Sequence, residues 1–194
     1  MSADTVIIRD AAPADADALA EFNCLMALET EDVRLTPAVV KRGVAAVFEE
    51  ASRGFYVVAE VDASTGDGDG DGDGAGDGDG DGDGNGDGDG ADARTIAAAL
   101  LVTREWSDWR DAEWWWIQSV YVRAPFRRRG LYRMLYEHVA ARAANEKVCG
   151  FRLYVERDNS VAQQTYAALG MRETRYKVLE QLTAGAHGNS PSAA

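Results

Sequence analysis

Between Asp62 and Ala93 the chain is dominated by alternating Asp and Gly. Such a stretch has no apolar side chain to bury and loses the most backbone entropy on ordering, so it can join no core and is expected to be disordered. It therefore dictates what its neighbours can be. Phe55 to Val61 before it and Thr95 to Thr103 after it are rich in apolar, aromatic and β-branched residues, and each reads as a strand. Two strands around a structureless insertion read as the arms of one antiparallel hairpin, because closure entropy grows only with the logarithm of loop length. Closely spaced aspartates can also ligate calcium, but the tract has neither the terminal glutamate of an EF-hand nor the regular apolar position of a β-roll repeat. The expectation is a solvated insertion at a hairpin tip, removable from Asp67 to Gly90 with ligand binding intact.

The tract also distorts the apparent charge. Ten aspartates between Asp67 and Asp89 contribute to a net charge of -13, and removing those ten leaves -3. The remainder is only mildly acidic, and its basic residues are almost all arginine, with lysine at Lys41, Lys147 and Lys177. Cys24 and Cys149 lack C-x-x-C spacing, which points to buried free thiols rather than a zinc site or disulfide framework. The longest apolar run, Ile96 to Val102, is far short of a membrane span, and Met1 to Thr5 lacks a basic-then-apolar leader pattern. The reading is a cytoplasmic protein without a membrane or metal partner.

Outside the tract, the periodicities alternate between strand and helix. Val6 to Arg9 is a short strand, and Pro13, Asp15 and Asp17 open a helix to about Glu29 whose face is Leu19, Phe22, Asn23 and Met26. Thr36 caps a second helix through Val40, Val44 and Val47. Glu113 to Val122 is a strand carrying Trp114, Trp115 and Trp116, with Trp115 on the face opposite the other two. Gly130 to Asn145 is a helix, and Phe151 to Val155 a strand. Ser160 and Gln163 form a capping box for a helix ending at Gly170, and Met171 to Leu182 supplies a final strand or strand pair. This order describes one α/β domain over 1–182, interrupted by the insertion 62–93 and followed by a flexible tail, 183–194.

The chemistry concentrates where a strand turns into a helix, at Val120 to Leu135. A helix N-terminus exposes unpaired amide donors and the positive end of its dipole, and so suits a phosphate. Gly130 permits close backbone approach, while Arg127, Arg128, Arg129 and Arg133 surround the same point with guanidinium charge. A diphosphate is the natural guest.

Here the chain resembles the GNAT superfamily of acyl-CoA N-acyltransferases. The family's turn, Q/R-x-x-G-x-G/A, is matched by Arg127-Arg128-Arg129-Gly130-Leu131-Tyr132 except at the last position, where Tyr132 replaces a small residue. Its second element, N-x-x-A-x-x-x-Y-x-x-x-G-F, is met by Asn159, Ala162, Tyr166 and Gly170, with Met171 in place of the aromatic. The resemblance implies a mixed, mostly antiparallel sheet with a splayed parallel strand pair and flanking helices. It also implies acetyl-CoA as co-substrate, held by the turn and by the main chain of Val120 and Val122.

An acceptor amine with a pKa near ~10.4 must lose a proton before attacking the thioester directly in a ternary complex. A strand amide near Ser119 or Val120 would stabilise the oxyanion, and Tyr166 matches the family's general acid. Glu29, Glu113 and Glu156 are the base candidates. The acceptor is a small-molecule or peptide amine, and a homodimer is compatible with the reading. Two other functions compete: a non-catalytic acyl-CoA sensor or scaffold, and a nucleic-acid binder through the arginine turn. The latter is disfavoured by the acidic remainder of the chain and by the lack of a basic aromatic stripe.

Overall fold

The computed structural model describes residues 5–62, 94–181 and Thr183. The expectations for the Asp/Gly insertion and for the tail fall on residues outside this set. Five strands form one sheet in the order β1-β2-β3-β4-β5: β1 Ile7–Asp10, β2 Phe55–Asp62, β3 Arg94–Ser107, β4 Ala112–Val122 and β5 Val148–Leu153. The first three junctions are antiparallel and β4–β5 is parallel. The strands flanking the tract pair as the hairpin the sequence implies, Phe55 opposite Val102 and Asp62 opposite Arg94.

Four helices complete the domain: α1 Ala16–Glu31, α2 Pro37–Glu49, α3 Leu131–Ala143 and α4 Ser160–Ala168. The two faces of the sheet carry separate cores. Val57, Ala59, Leu100, Val102, Trp115 and Ile117 meet Leu131, Leu135 and Val139 of α3. Tyr56, Val58, Ala99, Leu101 and Tyr121 meet Leu19 and Phe22 of α1 and Val44 of α2. The central strands are thus apolar at successive positions because both faces are covered. Each fully buried Leu, Val or Phe contributes roughly 1.5–3 kcal/mol relative to exposure.

Several expectations are corrected. No strand forms between Met171 and Gln181, and Leu182 lies outside the described residues. Tyr176, Val178 and Leu179 are all exposed, the last at 93%. Apolar alternation becomes a strand only when a neighbouring strand or layer covers one of its faces, and no other described residue covers these side chains. The fifth strand begins three residues earlier than expected and stops at Leu153, leaving Tyr154 and Val155 exposed. Asn159, rather than Ser160, caps α4, its Oδ1 accepting from the Ala162 amide at 3.0 Å. Gln163 donates instead to the carbonyls of Glu156 and Arg157 at 3.1 and 2.8 Å, so the expected capping box is absent. Thr36 occupies the cap position of α2 without a side-chain hydrogen bond. Cys24 and Cys149 are half-buried rather than buried. Among the described residues, no helix is long and apolar enough to cross a membrane.

Candidate active site

A single extra residue shapes the centre of the sheet. Leu101 pairs with Ser119 but Val102 pairs with Ile117, so Gln118 is a bulge in β4. A bulge bends its strand and reverses the side-chain alternation beyond it. Before it, Trp115 and Ile117 face α3, with Trp115 0% exposed. After it, Val120 and Val122 pack on the α3 side while Tyr121 packs against α1. Trp114, Trp116 and Tyr121 therefore share the face on which α1 and α2 lie.

The bulge is also where the two parallel strands part. Pairing of β4 with β5 runs from Glu113 and Val148 to Ile117 and Leu153. From Gln118 to Val122, β4 continues beside β3 alone. Its other edge has no strand partner among the described residues, and the opening leads straight to the arginine turn.

That turn is open. Arg127, Arg128, Arg129 and Gly130 are all exposed. Gly130 caps α3 with φ of 79°, and Arg128 is left-handed at 64°. A Cβ on Gly130 would meet nothing within 4 Å, so the space beside this residue is open. Left-handed residues near a helix start turn successive amides toward one concave side, which suits an anion.

The arginines are not equivalent. Arg127 folds back, donating Nε to the Val122 carbonyl at 2.9 Å and pairing through its guanidinium with Glu29. Arg133 pairs with Glu137 along the helix at 2.8 Å. Arg129 lies over the Phe126 ring at 5.3 Å.

Tyr132, the departure from the family pattern, turns inward. Its ring meets that of Tyr166 edge-on at 5.6 Å and that of Tyr136 at 6.3 Å. Its hydroxyl is fully buried and has no hydrogen-bond partner among the described residues. Burial raises the phenol pKa of both Tyr132 and Tyr166, so both remain protonated at neutral pH. Tyr166 thus reaches the α3 side of the sheet from α4. Asn159 spends its side chain on capping that helix.

The three carboxylates are dispersed. Glu29, at the end of α1, accepts from the Tyr121 hydroxyl at 2.8 Å and from Arg127. The Arg127 hydrogen bond, followed by that of Tyr121, lowers its pKa. Glu113, the second residue of β4, accepts from Trp115 Nε1 at 3.1 Å and pairs with Arg104 at 3.2 Å. At about 3.3 Å per residue it lies roughly 30 Å along the strand from Val122. Glu156 is exposed beyond β5, and its carboxylate accepts from the Asp158 amide at 2.6 Å. No group of three His, Cys, Asp or Glu side chains gathers as a metal would require among the described residues.

Sequence reasoning did not find the bulge, nor the cluster beside it. Trp116 stacks on Tyr154 at 4.6 Å and donates Nε1 to Glu105 at 2.5 Å, while Arg152 pairs with Glu105 at 2.7 Å. The alternation of Trp114 and Trp116 marked that face, but Glu105 is far away in sequence.

Known structures resemble this chain in overall fold. A crystal structure described as a possible acetyltransferase from Clostridium difficile 630 is 31% identical, covers 92% of this chain and 98% of its own, and has a TM-score of 0.72. The model of the acetyltransferase (GNAT) family matches residues 89–171. The chain belongs to the GNAT acetyltransferase family. Two more distant structures share its fold. An aminoglycoside N-acetyltransferase in complex with CoA is 11% identical, with coverage of 94% and 97% and a TM-score of 0.65. A ribosomal-protein-alanine N-acetyltransferase from Brucella melitensis biovar Abortus 2308 is also 11% identical, with coverage of 92% and 100% and a TM-score of 0.60. No curated protein matches the chain. Membership of the GNAT family supports acyltransferase activity.

Proposed function

We propose that the protein transfers an acetyl group from acetyl-CoA to a primary amine by direct attack in a ternary complex. The observation that carries this reading is the continuity between the unpaired edge of β4, Gln118 to Val122, and the open start of α3 at Gly130. A strand edge offers main-chain hydrogen bonds to an extended arm, and a helix start holds the anionic end of the same molecule.

Acetyl-CoA supplies the activated thioester. In this reading the amides following Gly130 hold the diphosphate, with Arg128, Arg129 and Arg133 adding charge around it. Arg127 braces the turn by tying Val122 to Glu29. Val120 and Val122 align the arm by main chain, and an amide near Ser119 or Val120 polarises the carbonyl. The amine nitrogen bonds to that carbon as the carbon–sulfur bond breaks, and Tyr166 gives its proton to the departing sulfur. Its raised pKa keeps that proton available. The acceptor enters from the face of Trp116 and Tyr121, opposite Tyr166. Its proton leaves through ordered water or a carboxylate. Glu29 is closest in the fold to the splay, through Tyr121, but its lowered pKa makes it a weak base.

Saturating acetyl-CoA should raise the melting temperature through ligand linkage, and Gly130→Glu should abolish the shift. Release of free thiol across a panel of amines then tests transfer itself. An unchanged melting temperature with the wild-type protein rejects the reading. A second reading, a non-catalytic acyl-CoA sensor, draws support from the engagement of all three candidate carboxylates by other groups of the chain.

A further inference from the structure

The face of β4 that carries Trp114 and Trp116 leads away from the splay into a second concavity. It is lined by Ser107, Trp109, Arg110, Trp114, Arg152 and Tyr176. Trp109 is 90% exposed and Tyr176 73%, an unusual display of aromatic surface that no other described residue covers. The Trp114 indole sits close beside the glycine at position 150 of β5, where a Cβ would come within 2.6 Å of the ring. Arg152 lies over the Trp114 ring at 4.2 Å and Arg110 approaches it at 5.3 Å.

The two guanidiniums differ in charge balance. Arg152 is neutralised by Glu105, which accepts from it with both oxygens at 2.7 and 3.0 Å. Arg110 meets the Trp114 ring and no carboxylate among the described residues. The concavity therefore combines flat apolar walls with one unbalanced cation. An anionic planar group matches both features, since it can stack on indole or guanidinium while its charge is met by a charge-assisted hydrogen bond.

Its position links it to the transfer point. Trp114 is four residues from Gln118, or about 13 Å along the strand. Trp116 and Tyr154, stacked at 4.6 Å, form the wall between. We propose that this concavity binds an aromatic carboxylate carried by the acceptor, on the far side of the Trp116 and Tyr154 pair from the amine that receives the acetyl group. The proposal rests on the transferase reading and deepens it by naming the acceptor class.

The test compares a benzoate bearing a para-aminohexyl chain with the matching carboxamide, at fixed acetyl-CoA. The carboxylate should show a KM lower by about ten-fold, the ratio expected from one charge-assisted hydrogen bond. Arg110→Ala should bring that ratio to about one, and Arg110→Lys should restore part of it. Trp109→Ala should raise both KM values. The exposed positions of Arg110 and Trp109 keep these variants folded, which the acetyl-CoA melting shift verifies. Quenching of tryptophan fluorescence by the benzoate, without acetyl-CoA, reads the concavity independently of turnover. Equal KM values for the two acceptors, or a ratio unmoved in Arg110→Ala, overturns the proposal. Absence of any thiol release with benzoate quenching retained indicts the transferase reading instead.

Discussion

The hydroxyl of Tyr121 donates to Glu29 across 2.8 Å, joining the last residues of β4 to the end of α1, while Arg127 takes the other carboxylate oxygen. One carboxylate thereby holds both the strand that borders the splay and the turn that follows it. Glu29→Gln keeps a partner for Tyr121 but removes the charge facing Arg127. The expected outcome is a higher KM for acetyl-CoA with the shape of the kcat/KM pH profile preserved across the neutral range, because the lowered pKa leaves Glu29 ionised throughout. A loss of turnover of about 10²–10⁴ with a flattened profile would instead make Glu29 the base.

Gly130 separates backbone strain from ligand exclusion. Its φ of 79° penalises any side chain, although the surrounding space is open. Gly130→Ala should cost about 1 kcal/mol of stability, measured by denaturant unfolding, with the acetyl-CoA melting shift retained in part. Gly130→Glu should show similar destabilisation and no shift. If both variants respond to the ligand like wild type, the helix start does not hold it.

Tyr166→Phe removes one hydroxyl and leaves the ring contact with Tyr132 at 5.6 Å in place. Stability should change by less than about 1 kcal/mol, acetyl-CoA affinity should hold, and turnover should fall by about 10²–10⁴. Undiminished turnover removes Tyr166 from the acid role. A wild-type protein that binds acetyl-CoA yet releases no thiol with any amine supports the sensor reading.

Asp15 is the buried charged side chain among the described residues. It pairs with Arg9 at 2.7 Å and accepts from the Ala12 amide at 2.7 Å, and Arg9 reaches Glu60 as well. The Arg9 hydrogen bond holds its pKa below the ordinary 3.8. A depressed folded-state pKa contributes stability that is present above 3.8 and is lost as pH falls through the lower folded-state value. Asp15→Asn should cost about 2 kcal/mol at neutral pH, and its deficit relative to wild type should shrink under acid. Urea titrations at neutral and acid pH check this; a deficit independent of pH contradicts the assignment.

Much of the fold follows from local patterns. The apolar runs at 55–61 and 95–103, the stripe Leu131, Leu135 and Val139, and the turn ending at Gly130 each report their element through spacing and backbone constraint. These signals are legible because they depend on neighbours in sequence. Met171 to Gln181 shows the limit: its apolar residues resemble a strand, yet strand formation requires a partner, and no described strand pairs with this segment.

For the site, the sequence by itself determined the arginine turn, the position of Tyr166 on the last helix and the family these belong to. Only the tertiary structure decided which way the surrounding side chains face. The bulge at Gln118 comes from the register between β3 and β4, a relation between residues distant in sequence, and it moves Val120 and Val122 to the face opposite Trp114 and Trp116. The pairing of Arg127 with Glu29, 98 residues away, and the gathering of Glu105, Trp116 and Arg152 likewise arise when strands and helices meet. Local spacing sets which element forms, but long-range pairing sets its register, and register decides what a side chain can touch.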